Sequence, residues 1–347
     1  MRVVITGFSN SGKTTLFNAL TGLNLPVTIY PTLAGSEPHI GVVDVPDERV
    51  DRLASIYKPK KKTYATIEYI DYIGLTKDAR QNSNVFNLLK DADAIVHVIR
   101  AFEDPAVSHP MESVDPLRDA RAFEIECILK DLEIIERRLE RIALKKGKKE
   151  EAHGEMDFLA KCKGALENEI PLRDIEFNEE EKKIMQTYQF LSQKPEIIIL
   201  NIGESDLNRE KERELINELR VCGKIEMEVS KLPQDEREAF LHSLGIKEPA
   251  KDRLCRASYE ALGMITFFTV LGDEVRAWTI KKGTPAQKAA GKVHSDIERG
   301  FIKAEVISFD DFASAGEDMA KVRGLLRLEG KNYVVKGGDI INFKFKP

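Results

Sequence analysis

Close cysteine pairs are missing from this sequence. Its four cysteines, Cys127, Cys162, Cys222 and Cys255, stand far apart, which excludes a zinc knuckle or a Cys-x-x-Cys redox motif built from neighbours. They read as reduced, buried thiols of a cytoplasmic protein. Long apolar runs are missing too: even Ile197–Leu200 is closed off by Glu196 and Asn201, far short of the ~18 residues that a membrane span needs. No membrane segment is expected. Met1 to Thr6 leave no room for a signal peptide ahead of the first motif, so no export is expected either. Strong charge of one sign is also absent. A net charge of -5 over 347 residues gives no global field toward nucleic acid, and sequence-specific DNA is not an expected partner.

What is present is an ordinary globular composition, 42% hydrophobic and 32% charged, at a length that allows two or three domains. Short apolar runs at Val3–Thr6, His39–Val45, Ile67–Tyr72, Ala94–Ile99 and Glu196–Leu200 alternate with helical patterns. This predicts an α/β fold, a mostly parallel sheet with helices on both faces. About a hundred residues of another character separate the last two runs. Within them Ile125, Ile128, Leu132, Ile135, Leu139 and Ile142 keep the three-and-four spacing of a coiled-coil seam. Lys145–Lys149 and Gly154 break that pattern, and Met156, Leu159, Cys162 and Leu166 resume it, which predicts an antiparallel α-helical hairpin. A basic run at such a tip is ordinarily a solvated turn.

Beyond Gly263 the pattern turns to β-type runs at Ile265–Val270, Val275–Ile280, Ile302–Ile307, Tyr333–Val335 and Ile340–Phe345, with one helical stretch at Pro285–Val293. A small α+β module is expected there. From Ile265 onward 14 Lys and Arg face 11 Asp and Glu, so the module carries +3 and the rest of the chain -8. The module is thus the half better suited to meet RNA. The expected organisation is an α/β domain over 1–115 and 193–263, which the motifs below mark as a P-loop nucleotide-binding (G) domain, a helical coiled-coil insertion over 116–192, and the α+β module over 264–347.

Gly7-Phe8-Ser9-Asn10-Ser11-Gly12-Lys13-Thr14 satisfies G-x-x-x-x-G-K-[ST], follows a β-type run and precedes the helical segment Thr15–Leu20. In that context the motif cradles phosphates. Backbone N–H groups of Ser9 to Thr15 would turn inward around them, Lys13 would reach the β- and γ-phosphates, and the Thr14 hydroxyl would bind Mg2+. Asp71-Tyr72-Ile73-Gly74 follows the run ending at Ile70. A D-x-x-G turn is common by itself, but in this place Asp71 would hold the Mg2+ shell and the Gly74 N–H would sense the γ-phosphate. Leu75 stands where many P-loop GTPases carry a water-orienting glutamine, and leucine makes no hydrogen bond. The substitute could be His109, a bound monovalent cation such as K+ near Asn10, or a partner molecule. His109 reads equally well as a loop imidazole beside Pro110.

Asn201-Ile202-Gly203-Glu204 closes the run Glu196–Leu200, where guanine-binding relatives of this class carry N-K-x-D. Glu204 in place of Asp loses the bidentate geometry that selects guanine, and Ile202 replaces the Lys that lies along the base. ATP is expected over GTP.

With these residues placed, the chain resembles the YchF/Obg-like ATPase family over nearly its whole length. The segments Ile265–Thr269, Glu274–Thr279, His294–Phe301 and Leu328–Tyr333 resemble that family's TGS module, and Val114–Asp119 opens an insertion at the same point in the order of parts. The resemblance implies a Mg2+-dependent, ATP-hydrolysing switch with N-x-x-E marking ATP, and ribosomes or their RNA and proteins as partners. It also implies a histidine, here His109 after Arg100–Asp104, acting near the γ-phosphate. Departures lie in two loops: Leu75–Phe86 lacks the usual Gly-rich switch sequence, and Tyr30–Gly41 is one residue longer. For a Mg2+-contacting hydroxyl there, Thr32 and Ser36 are both candidates. A monomer is expected.

Overall fold

The computed structural model describes residues 1–27, 37–77, 82–144, 153–207, 218–314 and 323–346. Along the chain run β1 (Arg2–Thr6), α1 (Lys13–Thr21), β2 (His39–Asp44), α2 (Glu48–Tyr57), β3 (Lys61–Thr63), β4 (Thr66–Asp71), α3 (Ser83–Lys90) and β5 (Ala94–Ala101). The long helix α4 (Pro116–Leu144) follows, then α5 (His153–Glu167), α6 (Glu179–Met185), β6 (Glu196–Ile202), β7 (Leu219–Val221), α7 (Gly223–Ser230), α8 (Gln234–Ser243) and α9 (Ala250–Ala261). The last part holds β8 (Met264–Leu271), β9 (Glu274–Lys281), α10 (Ala286–Val293), α11 (Ser295–Arg299), β10 (Phe301–Ser308), β11 (Arg327–Glu329) and β12 (Asp339–Phe345). Two compact units result: Met1–Val42 with Glu68–Leu254, and Val43–Ile67 with Cys255–Pro347.

The first unit is α/β, with a sheet ordered β2-β4-β1-β5-β6-β7. The pairs β1–β4, β1–β5, β5–β6 and β6–β7 are parallel. Its central strands read as unbroken apolar runs because helices cover both faces: β1 is buried from Val3 on, and β5 along almost its whole length. Strand order reverses beside β1, so the loop after β1 opens at the switch point where such sheets bind ligands.

The helices α4 and α5 form the expected antiparallel hairpin. Ion pairs Arg138–Glu155 at 2.8 Å, Lys163–Glu136 at 3.0 Å and Arg121–Glu169 at 2.7 Å descend one helix while ascending the other. Ile128, Ile135 and Ile142 are buried against Phe158, Leu159, Cys162 and Leu166. Two details differ from expectation. Met156 is exposed and Phe158 takes its place in the seam, and Gly154 sits inside the first turn of α5 instead of breaking the helix. Lys145–Lys149 lie outside the described residues. Among the described residues no helix is long and apolar enough to cross a membrane.

The second unit is a sheet ordered β11-β10-β12-β8-β9-β3. Its two faces are covered differently. Phe267, Ile280, Val306 and Ile341 pack with Ala286, Ala289 and Ala290 of α10, while Phe268, Val275 and Phe312 pack with Val50 and Leu53 of α2. Compactness therefore draws a boundary elsewhere than at 263/264, since the 43–67 excursion completes the second core. The expected strand Tyr333–Val335 is a single bridge, Pro285–Val334, and the strand beside β10 is Arg327–Glu329 instead.

Candidate nucleotide-binding site

The loop from Gly7 to Gly12 curls tightly because three of its residues take positive φ: Gly7 at 143°, Asn10 at 65° and Gly12 at 94°. Gly12 is required there, since a Cβ would stand 2.1 Å from Asn201 Nδ2. The loop borders a cavity of about 1260 Å³ lined in part by Ser9, Asn10, Gly12, Thr14, Thr15 and Gly74.

Lys13 is buried, and its ammonium donates to Phe8 O at 2.9 Å. Burial lowers its pKa to about 8, with the Asp71 carboxylate pulling the other way. The Thr14 hydroxyl donates to Asp71 Oδ2 at 2.7 Å. Burial pushes the Asp71 carboxyl above its ordinary value, opposed by Lys13 and the Thr14 bond. The other oxygen, Asp71 Oδ1, is buried and has no hydrogen-bond partner among the described residues. A buried carboxylate oxygen lacking a donor beside a threonine hydroxyl fits a hard cation that arrives with phosphate ligands. Among the described residues no three His, Cys, Asp or Glu side chains are gathered for a metal. Thr32 and Ser36 lie outside the described residues.

Gly74 meets the loop closely: a Cβ on it would stand 2.6 Å from both Lys13 Nζ and Ser9 Cα. The approach is fixed by Ser9 N–H donating to Leu75 O at 2.8 Å and Leu75 N–H donating to Gly7 O at 2.9 Å. Leu75 itself turns away from the cavity and is buried with Val4, Phe8, Val85, Phe86 and Leu89. The residue at the glutamine position is thus a core residue.

At the far end of the cavity, Asn201 bridges two elements. Its Nδ2 donates to Ser11 O at 2.8 Å and its Oδ1 accepts from Gly223 N at 3.0 Å. Ile202 is buried with Leu200, Cys222, Ile225 and Val229, so it forms the wall of the cavity. Glu204 is half exposed on the rim, 2.8 Å from Lys224 Nζ, a partner the sequence reading missed.

Ser11 and His109 do not line the cavity. His109 sits behind the loop, its ring centroid 6.3 Å from that of Phe8. Its Nδ1 accepts from Met111 N at 3.1 Å, and its Nε2 lies 2.9 Å from Asp119 Oδ2. Burial lowers the imidazole pKa against the pull of Asp119, and Arg100 and Arg118 lower it further. Arg100 went unremarked as an organiser. Its guanidinium donates to Phe102 O, Val107 O and Asp104 O at 3.0 to 3.2 Å and shapes the segment leading to His109.

Comparison with known proteins bears on the whole chain. Residues 2–130 match a family model described as 50S ribosome-binding GTPase, and residues 264–346 match YchF-GTPase_C, described as a protein of unknown function (DUF933). The chain is 40% identical to the ribosome-binding ATPase YchF of Bacillus subtilis and 39% identical to that of Escherichia coli O157:H7, with 98% of each chain covered in both cases. It superposes on the YchF GTPase of Schizosaccharomyces pombe with a TM-score of 0.86 at 28% identity, over 99% of this chain and 97% of that one.

Proposed function

The chain belongs to the YchF family of P-loop nucleoside triphosphate hydrolases, and from that premise we propose that it is a Mg2+-dependent ATPase switch acting at the ribosome. The observation that carries the reading is the gathering of Lys13 Nζ, the Thr14 hydroxyl and the unpartnered Asp71 Oδ1 at one end of the cavity. Thr14 and Asp71 would hold the Mg2+, which when bound offsets charge on the phosphate oxygens.

Lys13, near pKa 8 beside Asp71, would be returned to its charged form by the triphosphate and would bind the β- and γ-phosphates. The N–H of Gly74, whose backbone packs against Lys13 and Ser9, would donate to the γ-phosphate. Because Leu75 is committed to the core, another group must orient the attacking water. His109 takes that role. Its chain neighbour Ser108 accepts from Asn10 Nδ2 at 3.0 Å, which ties the backbone beside the imidazole to the phosphate loop. With its Nδ2 so engaged, Asn10 would have its amide oxygen left to hold a K+ ion.

Preference for ATP follows from the base end. Glu204, one carbon longer than aspartate and engaged with Lys224, does not supply the two parallel acceptors that guanine requires. Ribosome binding is taken from the names of the bacterial relatives, and the basic excess of the C-terminal TGS-like unit is compatible with an RNA surface. The test is steady-state phosphate release from ATP and from GTP, with and without ribosomes and K+. Faster release from ATP, stimulated by ribosomes, is expected. GTP as the better substrate overturns the base reading, and no release under any condition favours a nucleotide-dependent scaffold, the reading that Leu75 would support.

A further inference from the structure

We propose that Asp119 is the positioning residue of His109: a latch on the first turn of α4 that keeps the imidazole turned away from the phosphates until the helical insertion lets it go. The inference rests on the water-orienting role given to His109 above.

His109 follows a surface segment, yet its side chain is 4% exposed. Both ring nitrogens are engaged. With Nδ1 accepting the Met111 N–H, the neutral ring carries its proton on Nε2, the atom that faces Asp119. At 2.9 Å from the Asp119 carboxylate, Nε2 is held in place chiefly by charge.

The two sides of the latch differ in how firmly they are fixed. On the histidine side the backbone is pinned: Arg100 binds the carbonyls of Phe102, Asp104 and Val107, and Asn10 binds that of Ser108. The ring is therefore free to change only by rotating about its own side-chain bonds, which moves it between the Asp119 side and the phosphate-loop side of a fixed backbone. On the aspartate side, Asp119 is 1% exposed and rides on α4. Its Oδ1 accepts from Arg118 Nε at 3.0 Å and Nη2 at 2.8 Å, and Arg118 in turn binds Ser113. The charges facing the ring are thus Asp119, Arg118 and Arg100. A shift of α4, whose far half forms the coiled-coil hairpin, moves Asp119 relative to a histidine whose backbone stays with the phosphate loop. A partner that grips the hairpin would in this way set the fraction of released histidine.

A merely structural pair would cost stability on removal and never increase activity. The latch makes the opposite demand. Steady-state phosphate release at saturating Mg-ATP is measured for the wild type, Asp119→Ala, Asp119→Asn, His109→Ala and the Asp119→Ala/His109→Ala double variant, with KM and melting temperature alongside. Asp119→Ala should raise basal kcat by about tenfold, the change in released fraction expected on losing a contact to a charged group. KM should stay within about twofold, because the nucleotide contacts are untouched. Asp119→Asn, which keeps an acceptor, should rise less, and the double variant should fall to the His109→Ala rate. A folded Asp119→Ala that turns over no faster than wild type, while His109→Ala is slow, overturns the latch and leaves the histidine role intact. A His109→Ala enzyme as fast as wild type overturns the histidine role itself.

Should Asp119→Ala fail to fold, nitrogen-15 histidine spectra of the wild-type chain decide. His109 should show an Nε2–H tautomer in the wild-type chain, and a folded Asp119→Asn should turn over faster than wild type. An Nδ1–H tautomer, or an Asp119→Asn no faster than wild type, contradicts the proposal.

Discussion

At the phosphate end of the cavity the working groups are held by buried, backbone-based contacts, as with Lys13 Nζ at 2.9 Å from Phe8 O and Leu75 N–H at 2.9 Å from Gly7 O. At the proposed base end, the carboxylate of Glu204 has a side chain 54% exposed and rests on Lys224 at 2.8 Å, itself 67% exposed. Buried charge contacts are costly to break, whereas exposed pairs contribute ~0–1 kcal/mol. On the proposed function, the contrast teaches that triphosphate binding is built rigidly into this protein, while base preference is a light and adjustable addition.

The strongest way to break the comparison is Lys13→Ala. If the phosphate end is the anchor, affinity for a fluorescent ATP analogue should drop at least about a hundredfold, and a drop of less than about threefold would place the binding energy elsewhere. Next comes Gly74→Ala. The added Cβ would press on Lys13 Nζ and Ser9 Cα at 2.6 Å, and overpacking of that kind costs ~1–3 kcal/mol. Turnover should fall about tenfold or more in rapid-quench assays with the fold retained; an unchanged rate would show that Gly74 does not approach the loop in the working state.

A subtler difference between the ends is proton uptake. The folded value for Lys13, about 8, lies below its ordinary 10.5. The nucleotide-free fold then binds fewer protons than the unfolded chain between those values, so its stability rises as pH climbs from 8 to 10.5. Binding ATP at pH ~8.5 should return the ammonium to charge and take up roughly three-quarters of a proton, seen as binding heat that varies with the ionisation enthalpy of the buffer. Heats independent of buffer would contradict it. The smallest effect is expected at the base end. Lys224→Met should narrow the ratio of ATP to GTP affinity by about two- to fivefold, in keeping with an exposed pair, and a change above about fiftyfold would mean that the base end is as firmly built as the other.

How much of this was legible in the sequence follows the same division. The turn of the phosphate loop was legible because Gly12, Lys13 and Thr14 stand at fixed spacing after a strand, although Ser11, expected at the nucleotide, does not line the cavity. Central strands were equally plain, since burial on both faces leaves a continuous apolar run such as Ala94–Ile99. Pairings between distant residues were not readable: Glu204 with Lys224, Asn201 with Ser11 and Gly223, and His109 with Asp119 depend on how loops fold over one another. The excursion from 43 to 67 joins the second unit for a similar reason. Val50 and Leu53 make a fully buried helical stripe, but a stripe does not name the core that it enters. In the hairpin, the seam through Met156 had the right spacing, and the burial of Phe158 in its place reflects ring stacking around Tyr188 and Phe190 that heptad counting does not see.

The central claim is a phosphate loop that closes on a Mg2+-bound triphosphate and favours adenine. Isothermal titration of the intact chain with ATP and then GTP in magnesium buffer tests it most directly. One ATP should bind per chain, at least about tenfold more tightly than GTP, whereas no heat from either nucleotide, or tighter GTP binding, would contradict it.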